Sequence, residues 1–439
     1  MTIERNEYVQ KLLHVRDNGM VKIITGVRRV GKSFLLFNLY RRRLLSEGVE
    51  DGHIIEVNLE AEGNERLWNP MELGKYLRSS IGGGGRYYVF LDEIQRVGRV
   101  LPEGIDPQKV APEDLDGMYV TFYDVLNGLN DRGNVDVYVT GSNSKLLSSD
   151  IATNFRGRSV EIRVWPLSFA ELYAMGGREK AELWEDYLMF GGMPQAVLEK
   201  DEKLRAQLLS EMFDRVYFRD LIERMKLVDD SALEEVTDAL CSAVGSLTNS
   251  NRIFNTLKST RGESPSVPTL KKYMDSLTAA FLFEKAVRYD VRGRKYLDHP
   301  VKYFAVDMGL RNARIKFREP EKAHLMENII YLELRRRGYQ VDVGVVDILT
   351  SENGKREQRR HEIDFVVNTG FGKIYIQSAF SIEDPEKRLQ ETLSLRKSGD
   401  FFRKLVVVNG FQHLTTDEYG ISYVGVIPFL LNPSILGEG

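Results

Sequence analysis

The chain has 439 residues, enough for two to four domains with a sizeable buried core. Its 61 Lys+Arg against 64 Asp+Glu leave a net charge of −3, so overall charge neither requires nor excludes a nucleic-acid partner. A single cysteine, Cys241, excludes an intramolecular disulfide and a four-cysteine zinc site, and the six histidines lack metal-ligand spacing.

The N-terminus (MTIERNEYVQKLLHVRD) carries charges throughout and has no apolar core of signal-peptide length. No run of about 18 apolar residues occurs, so a cytoplasmic protein with no membrane partner is expected. Short β-rich runs then alternate with helical patterns, as in a parallel sheet flanked by helices. The expected strands are Met20-Thr25, Ile54-Leu59, Tyr87-Leu91, Val135-Thr140 and Val160-Val164. Glycines 82–85 make a flexible connection, and the Pro-, Gly- and Asp-rich stretch from Gly98 to Met118 reads as a surface insertion.

After Pro166 the pattern turns helical. Leu204, Leu208, Met212 and Val216 form one i+4 row beside Leu209, Phe213, Tyr217, Leu221 and Met225, a wide apolar stripe that predicts a long packed helix. A helical cluster through Leu233, Ile253 and Leu270 follows, the last helix starting at Ser266 and Pro268. Two strands, Phe281-Arg288 and Lys302-Val306, flank a loop with Arg292, Arg294 and Lys295; three helices and a hairpin suggest a winged helix. The rest opens with a helix through Leu325, Ile329 and Leu332. Strands are expected at Val341-Val346, Ile363-Val367, Lys373-Phe380 and Lys404-Val408, with a helix from Glu386 to Lys397.

The sharpest motif is Gly26-Val27-Arg28-Arg29-Val30-Gly31-Lys32-Ser33, a full G-x-x-x-x-G-K-[ST] between an apolar strand and a helical run starting at Phe34. Glycines let the backbone turn so that successive N–H groups face phosphates, and the helix start adds its dipole. Lys32 offers a charge to the β- and γ-phosphates and the Ser33 hydroxyl a magnesium ligand. A nucleoside triphosphate and Mg²⁺ are therefore the expected cofactors, with Gly26 to Phe34 as the binding segment. The run Tyr87-Leu91 ends in Asp92-Glu93: Asp92 is the second candidate metal ligand and Glu93 the group that polarises the attacking water. An acidic pair after a strand is by itself an ordinary helix start; the phosphate loop upstream favours the functional reading. Ser142 or Asn143, at the tip of the Val135-Thr140 strand, is a candidate for touching the γ-phosphate, or else a turn residue. Arg156 or Arg158 is a candidate arginine finger, or else a surface ion-pair partner.

The strings TGVRRVGKS, FLDEIQ, TGSNSKLLS, GRS followed by PLSF, and FGGMP resemble the AAA-type ATPases of archaea and bacteria that carry a C-terminal domain of unknown function. YFRDLIER, KYFAVDMGLRNA, EIDFVV and YIQSAF resemble their C-terminal half, so the likeness spans nearly the whole chain. It implies an α/β multidomain chain: a P-loop core of ASCE/AAA type at 1–165, a helical lid at 166–228, a winged-helix-like domain at 229–312 and a restriction-endonuclease-like domain of PD-(D/E)XK type at 313–439. It also implies a catalytic glutamate at Glu93 and ATP as the nucleotide. In the last domain the positions of that nuclease fold fall on Glu327, Asp364 and Gln377, with Ala379 where the lysine belongs. The alanine argues for a vestigial, structural or DNA-gripping domain, although Glu327 and Asp364 also suit a helix acid and an ion-pair partner.

Basic runs at 335–337, 355–356 and 359–360, with Lys271 and Lys272 and the loop residues Arg292, Arg294 and Lys295, are candidate DNA contacts or solvated faces. The leading expectation is an ATP-driven switch or motor acting through DNA, a second copy of the chain or a protein partner of the winged helix. The alternatives are an ATP-regulated nuclease and a protein that keeps nucleotide as an ordering ligand without hydrolysing it.

Overall fold

The computed structural model describes residues 2–141, 155, 157–225, 231–261, 264–318, 321–352, 355–370 and 372–437. The chain divides into two compact units, Met1–Trp165 and Pro166–Gly439.

The first unit is built on five parallel strands: β1 (Val21–Thr25), β2 (Ile54–Asn58), β3 (Tyr87–Asp92), β4 (Val135–Thr140) and β5 (Ser159–Arg163). They lie in the order β2-β3-β4-β1-β5. Every residue of β1, β3 and β4 is buried, because parallel strands covered on both faces tolerate continuous apolar runs. The order places β4 between the strand that feeds the glycine loop and the strand that ends in the acidic pair. The registers Ile24↔Thr140 and Leu91↔Val139 bring the carboxyl ends of all three to one edge of the sheet.

A helix over 32–46 follows β1, with a wider π-type stretch at Leu35–Tyr40. Its Tyr40 packs against Phe90 and Tyr138, with ring centroids 5.9 and 5.1 Å away. The Tyr40 and Tyr138 hydroxyls lie 2.7 Å apart, Tyr138 donates to Asp136 at 2.6 Å, and the Lys22 ammonium pairs with the same carboxylate. Lys22 and Asp136 are 0% and 1% exposed. Burial lowers the Lys22 pKa against the pull of Asp136. Such a pair persists only where other hydrogen bonds satisfy the carboxylate, and the Asp17 amide supplies one at 3.0 Å. The 98–118 segment has its ends tied: Val100 bridges Val120, and the Gly98 amide donates to the Trp68 carbonyl at 2.8 Å. It also holds a short helix, Pro112–Met118, that composition did not suggest.

The second unit opens with helices Phe169–Ala174, Lys180–Phe190 and Pro194–Leu198, then a continuous helix over 202–225. Here the expected apolar stripe is corrected. Leu209, Met212, Phe213, Val216, Tyr217 and Leu221 are buried, but Leu204 and Leu208 are 51% and 36% exposed. The buried face follows the row Leu209, Phe213, Tyr217 and Leu221, and the other row joins it only from Met212, where a π-type stretch (Met212–Phe218) begins.

Helices Ser231–Ser242, Ser250–Arg261 and Val267–Ala279 come next, with β6 (Leu247–Thr248) after the first. The Ser266 hydroxyl caps the last of them by accepting from the Thr269 amide. The hairpin is β7 (Phe283–Asp290) and β8 (Lys295–Ala305), and β6 pairs antiparallel with β8. A boundary at 312/313 between two separate sheets is not observed. The free edge of β7 pairs in parallel with β9 (Gln340–Glu352), Arg288 opposite Val343 and Asp290 opposite Val345. One nine-stranded mixed sheet therefore continues through β10 (Lys355–Thr369), β11 (Gly372–Ala379), β12 (Arg403–Val408), β13 (Thr415–Thr416) and β14 (Ile421–Gly425). Helix Lys322–Arg336 lies against it, touching β8, β9, β10 and β11.

Several basic residues read as phosphate contacts are structural here. Arg336 donates to Glu333 at 2.6 Å and to the Pro166 carbonyl at 3.2 Å, while Arg337 donates to Glu333 at 2.8 Å and to the Phe429 carbonyl at 2.7 Å. Arg292 grips the Lys397 and Asp347 carbonyls. Lys271 and Lys272 are exposed. Among the described residues no helix is long and apolar enough to cross a membrane.

Candidate functional site

At the carboxyl edge of the first sheet the chain leaves β1 through Gly26, whose φ of +135° is open to glycine. A Cβ there would stand 2.1 Å from the Val164 carbonyl oxygen, so the loop can hug β5 only without a side chain. Arg29 and Gly31 also have positive φ, at 62° and 96°. A Cβ built on Gly31 would meet nothing within 4 Å; this turn of the loop faces open space. The helix starts at Lys32, and the first N–H groups of a helix have no carbonyl partner within it.

Lys32 is 4% exposed, and its ammonium donates to the Gly26 and Val27 carbonyls at 3.0 and 3.1 Å. Burial pushes its pKa down to about 8, against the opposing pull of Glu93 and Asp92. The Ser33 hydroxyl donates to Asp92 Oδ1 at 2.9 Å. Thr140, at the end of the intervening strand, donates its hydroxyl to the same oxygen and accepts from the Glu93 amide at 3.0 Å. Sequence reasoning passed over Thr140 and chose its neighbours; its signal was the strand-terminal position next to β3. Glu93 sits at φ 55°, a left-handed conformation that costs a non-glycine residue free energy and is common at functional sites. Its carboxylate accepts from the Gln95 side-chain amide, and burial raises its pKa. Beside the loop, Glu60 accepts from Arg96 at 2.8 Å and Arg28 at 3.4 Å.

The structure thus brings Gly26 to Ser33, Asp92 and Glu93 into one site. The residues fit a magnesium–triphosphate group: the amides of a helix start and a buried ammonium for the anion, and a hydroxyl in contact with a carboxylate for the cation. Phe34, one residue further, is 42% exposed at the helix start. Arg158 is a correction as an arginine finger within its own chain. Its carbonyl bonds the amide of Val21 at the amino end of β1, and its guanidinium pairs on the surface with Asp131 at 2.7 Å. The loop lies beyond the other end of that strand. Ser142, Asn143 and Arg156 lie outside the described residues.

In the second unit a different cluster forms. Glu327 (helix Lys322–Arg336) and Asp364 (β10) are both buried and meet around the Lys302 ammonium of β8. It lies 2.7 Å from Glu327, 2.5 Å from Glu362 and 3.6 Å from Asp364. Burial works against this ammonium, but the three carboxylates outweigh it and raise its pKa. Burial, with the Glu327 charge adding to it, raises that of Asp364. The register Phe365↔Ile376 puts Gln377 opposite Asp364, which accepts from the Ser378 amide at 2.8 Å. Gln377 Oε1 is buried without a hydrogen-bond partner among the described residues. Ala379 is buried as well. The ammonium missing from position 379 thus reaches the carboxylates from β8, a strand whose sequence gave no hint of it. Among the described residues no three His, Cys, Asp or Glu side chains are grouped to hold a metal ion, so this cluster as it stands does not fit one.

The model of the AAA domain matches residues 18–173, and that of a domain of unknown function (DUF8612) matches residues 181–321. The second match ends before the strands of the expected nuclease-like region. An uncharacterised protein of Haemophilus influenzae is 35% identical over 435 residues, covering 98% of each chain. One of Methanocaldococcus jannaschii is 25% identical, covering 93% of this chain and 87% of its own. Among solved structures, a Walker-type ATPase of Pyrococcus abyssi is similar over 72% of this chain and 96% of its own, at 17% identity and a TM-score of 0.48.

Phosphate favours the charged form of Lys32, so ligand binding moves its pKa back up from about 8. ATP binding at pH 8 is therefore expected to take up a fraction of a proton. Calorimetry in buffers of different ionisation enthalpy measures it, and Lys32→Ala should abolish that uptake.

Proposed function

We propose, on the premise that this chain belongs to the family of AAA-domain proteins that includes its Haemophilus influenzae relative, that its first unit binds ATP with magnesium and hydrolyses it. The observation that carries this reading is the contact of Ser33 and Thr140 with one oxygen of Asp92, directly beside the buried Lys32 and Glu93. In this reading the amides of 26–33 and the Lys32 ammonium grip the phosphates and hold them still. Magnesium, when bound by Ser33 and Asp92, supplies neutralisation of the charge between the β- and γ-phosphates. Glu93 orients a water for in-line attack and accepts a hydrogen bond from its O–H, its raised pKa making it a better base than an exposed glutamate. Thr140 fixes both acids, so it positions rather than reacts.

The second unit supports the role of a responding module. The order of helix, β6, two helices and the β7-β8 hairpin supports a winged-helix reading, with Lys271 and Lys272 exposed on its third helix. ATP binding and loss would then act as a conformational switch, with DNA a candidate partner; Arg292, engaged with backbone carbonyls, contributes less to such a contact than its position in the loop suggests.

Glu93→Gln is expected to keep ATP affinity within about threefold while lowering turnover by roughly 10²–10⁴, the usual contribution of a positioned base. Steady-state phosphate release and equilibrium nucleotide binding measure the two. Unchanged turnover in that variant, or no magnesium-dependent turnover in the unaltered chain with or without DNA, removes the reading.

One observation favours a second reading, an ATP-regulated nuclease: Lys302 supplies in space the ammonium that position 379 lacks. The poor fit of the cluster to a metal ion weighs the other way. Plasmid and oligonucleotides incubated with Mg²⁺ or Mn²⁺ are expected to stay intact. Cleavage that disappears in Asp364→Ala would establish the nuclease.

A further inference from the structure

A cavity of about 360 Å³ in the second unit lies outside both clusters already described; its lining includes Arg311, Arg314, Lys316, Arg318, Asp238 and Glu321. Arg311 is the unusual member. It follows the Asp307 cap of the helix Met308–Arg314 and is only 7% exposed. Its Nε donates to the Cys241 carbonyl at 2.8 Å and its Nη1 to Asn312 Oδ1 at 3.0 Å, both uncharged acceptors. Among the described residues no carboxylate lies within ion-pair distance of this guanidinium. Burial lowers its pKa, against the opposing pull of Cys241 and Glu321. A buried cation with no carboxylate in ion-pair distance is costly to desolvate, so a wall of the cavity carries unmatched positive charge.

Lys316 and Arg318 extend the same charge to the exposed rim. Among the described residues neither has a carboxylate partner. They sit on a turn in which Lys316 and Phe317 both adopt positive φ, 58° and 52°, fixed by the Phe317 amide donating to the Asn312 carbonyl at 2.7 Å. Strain of this kind is retained where the surrounding structure or a ligand enforces it. Arg314 differs, being neutralised by Asp238 at 2.5 Å and Asp214 at 3.3 Å. The lining therefore sets four cationic side chains against two carboxylates. His324 also lines the cavity, with Nδ1 3.8 Å from Glu327 of the acidic cluster.

We propose that this cavity is an anion site that takes a phosphate group, either as a small phosphomonoester or as a phosphate of a nucleic-acid strand. The planar guanidinium of Arg311 presents its remaining N–H donors in a fork suited to two phosphate oxygens. The volume suits a ligand of mononucleotide size or one unit of a longer strand. The site stands whether or not the glycine loop of the first unit turns ATP over.

The test uses the full chain carrying Lys32→Ala, which silences the other phosphate site. Inorganic phosphate and AMP are titrated by calorimetry, and a short single-stranded oligonucleotide by fluorescence anisotropy. At least one probe is expected to bind, and adding Lys316→Glu with Arg318→Glu, both exposed, should weaken it by about tenfold or more. Binding of AMP or phosphate alone assigns a small ligand; binding of the oligonucleotide alone assigns a strand. Arg311→Lys should weaken the same probe, since it removes the fork and keeps the charge. The rim substitutions are expected to leave ATP turnover unchanged when Lys32 is restored. No binding by any probe, or binding indifferent to the rim substitutions in a chain that keeps its unfolding midpoint, overturns the proposal.

Discussion

The Asp92 carboxylate has to reach Ser33 across an intervening strand. Because β4 lies between β1 and β3, the two residues start from strands about two spacings apart, on the order of 10 Å. The gap closes because Ser33 lies beyond β1, on the helix that turns back over the sheet, and because Thr140 fills the middle position with a hydroxyl. A purely apolar residue at 140 would leave the Asp92 oxygen with the Ser33 hydroxyl alone of its two donors and take the Thr140 acceptor from the buried Glu93 amide, at a cost of about 1–3 kcal/mol. The aromatic layer of Tyr40, Phe90 and Tyr138 holds the 32–46 helix on that sheet, so the geometry of the acids and that of the loop are set together.

The same burial that fixes these groups makes them responsive. Lys32 and Glu93 are both desolvated, which lowers the pKa of one and raises that of the other, so each is less comfortable in its charged form than in water. The loop carbonyls of Gly26 and Val27 occupy the ammonium meanwhile. A triphosphate would compete for it with a far stronger charge, so binding and the local electrostatics are linked rather than separate properties.

The first sheet was largely legible in the sequence because its signals are local: apolar runs bounded by turns, a glycine loop with fixed spacing, and an acidic pair at a strand end. Thr140 was not, since its role depends on which strand neighbours β3, and strand order leaves no mark on any one segment. The second unit shows the same limit more strongly. Lys302 is separated from Glu327 by 25 residues, and only the fold makes it their partner. The pairing of β7 with β9 erased an expected domain boundary that helix and strand patterns alone implied. Arginines at 292, 336 and 337 looked like phosphate contacts because charge is visible in sequence while its partners, mostly backbone carbonyls, are not. The π-type stretches within the helices 32–46 and 202–225 likewise have no proline or glycine to announce them.

The two units place their cations differently. In the first, a buried lysine waits on carbonyls beside acids; in the second, one lysine is locked among carboxylates and one arginine is buried with none within ion-pair distance among the described residues. In the proposed reaction Ser33 and Asp92 form the two ends of one magnesium site. The most decisive measurement is ATP affinity with and without magnesium, in the unaltered chain and in Asp92→Asn. Magnesium should tighten ATP binding by tenfold or more in the former, about 1.4 kcal/mol, and have little effect in the latter. An equal response to magnesium in both would contradict the assignment.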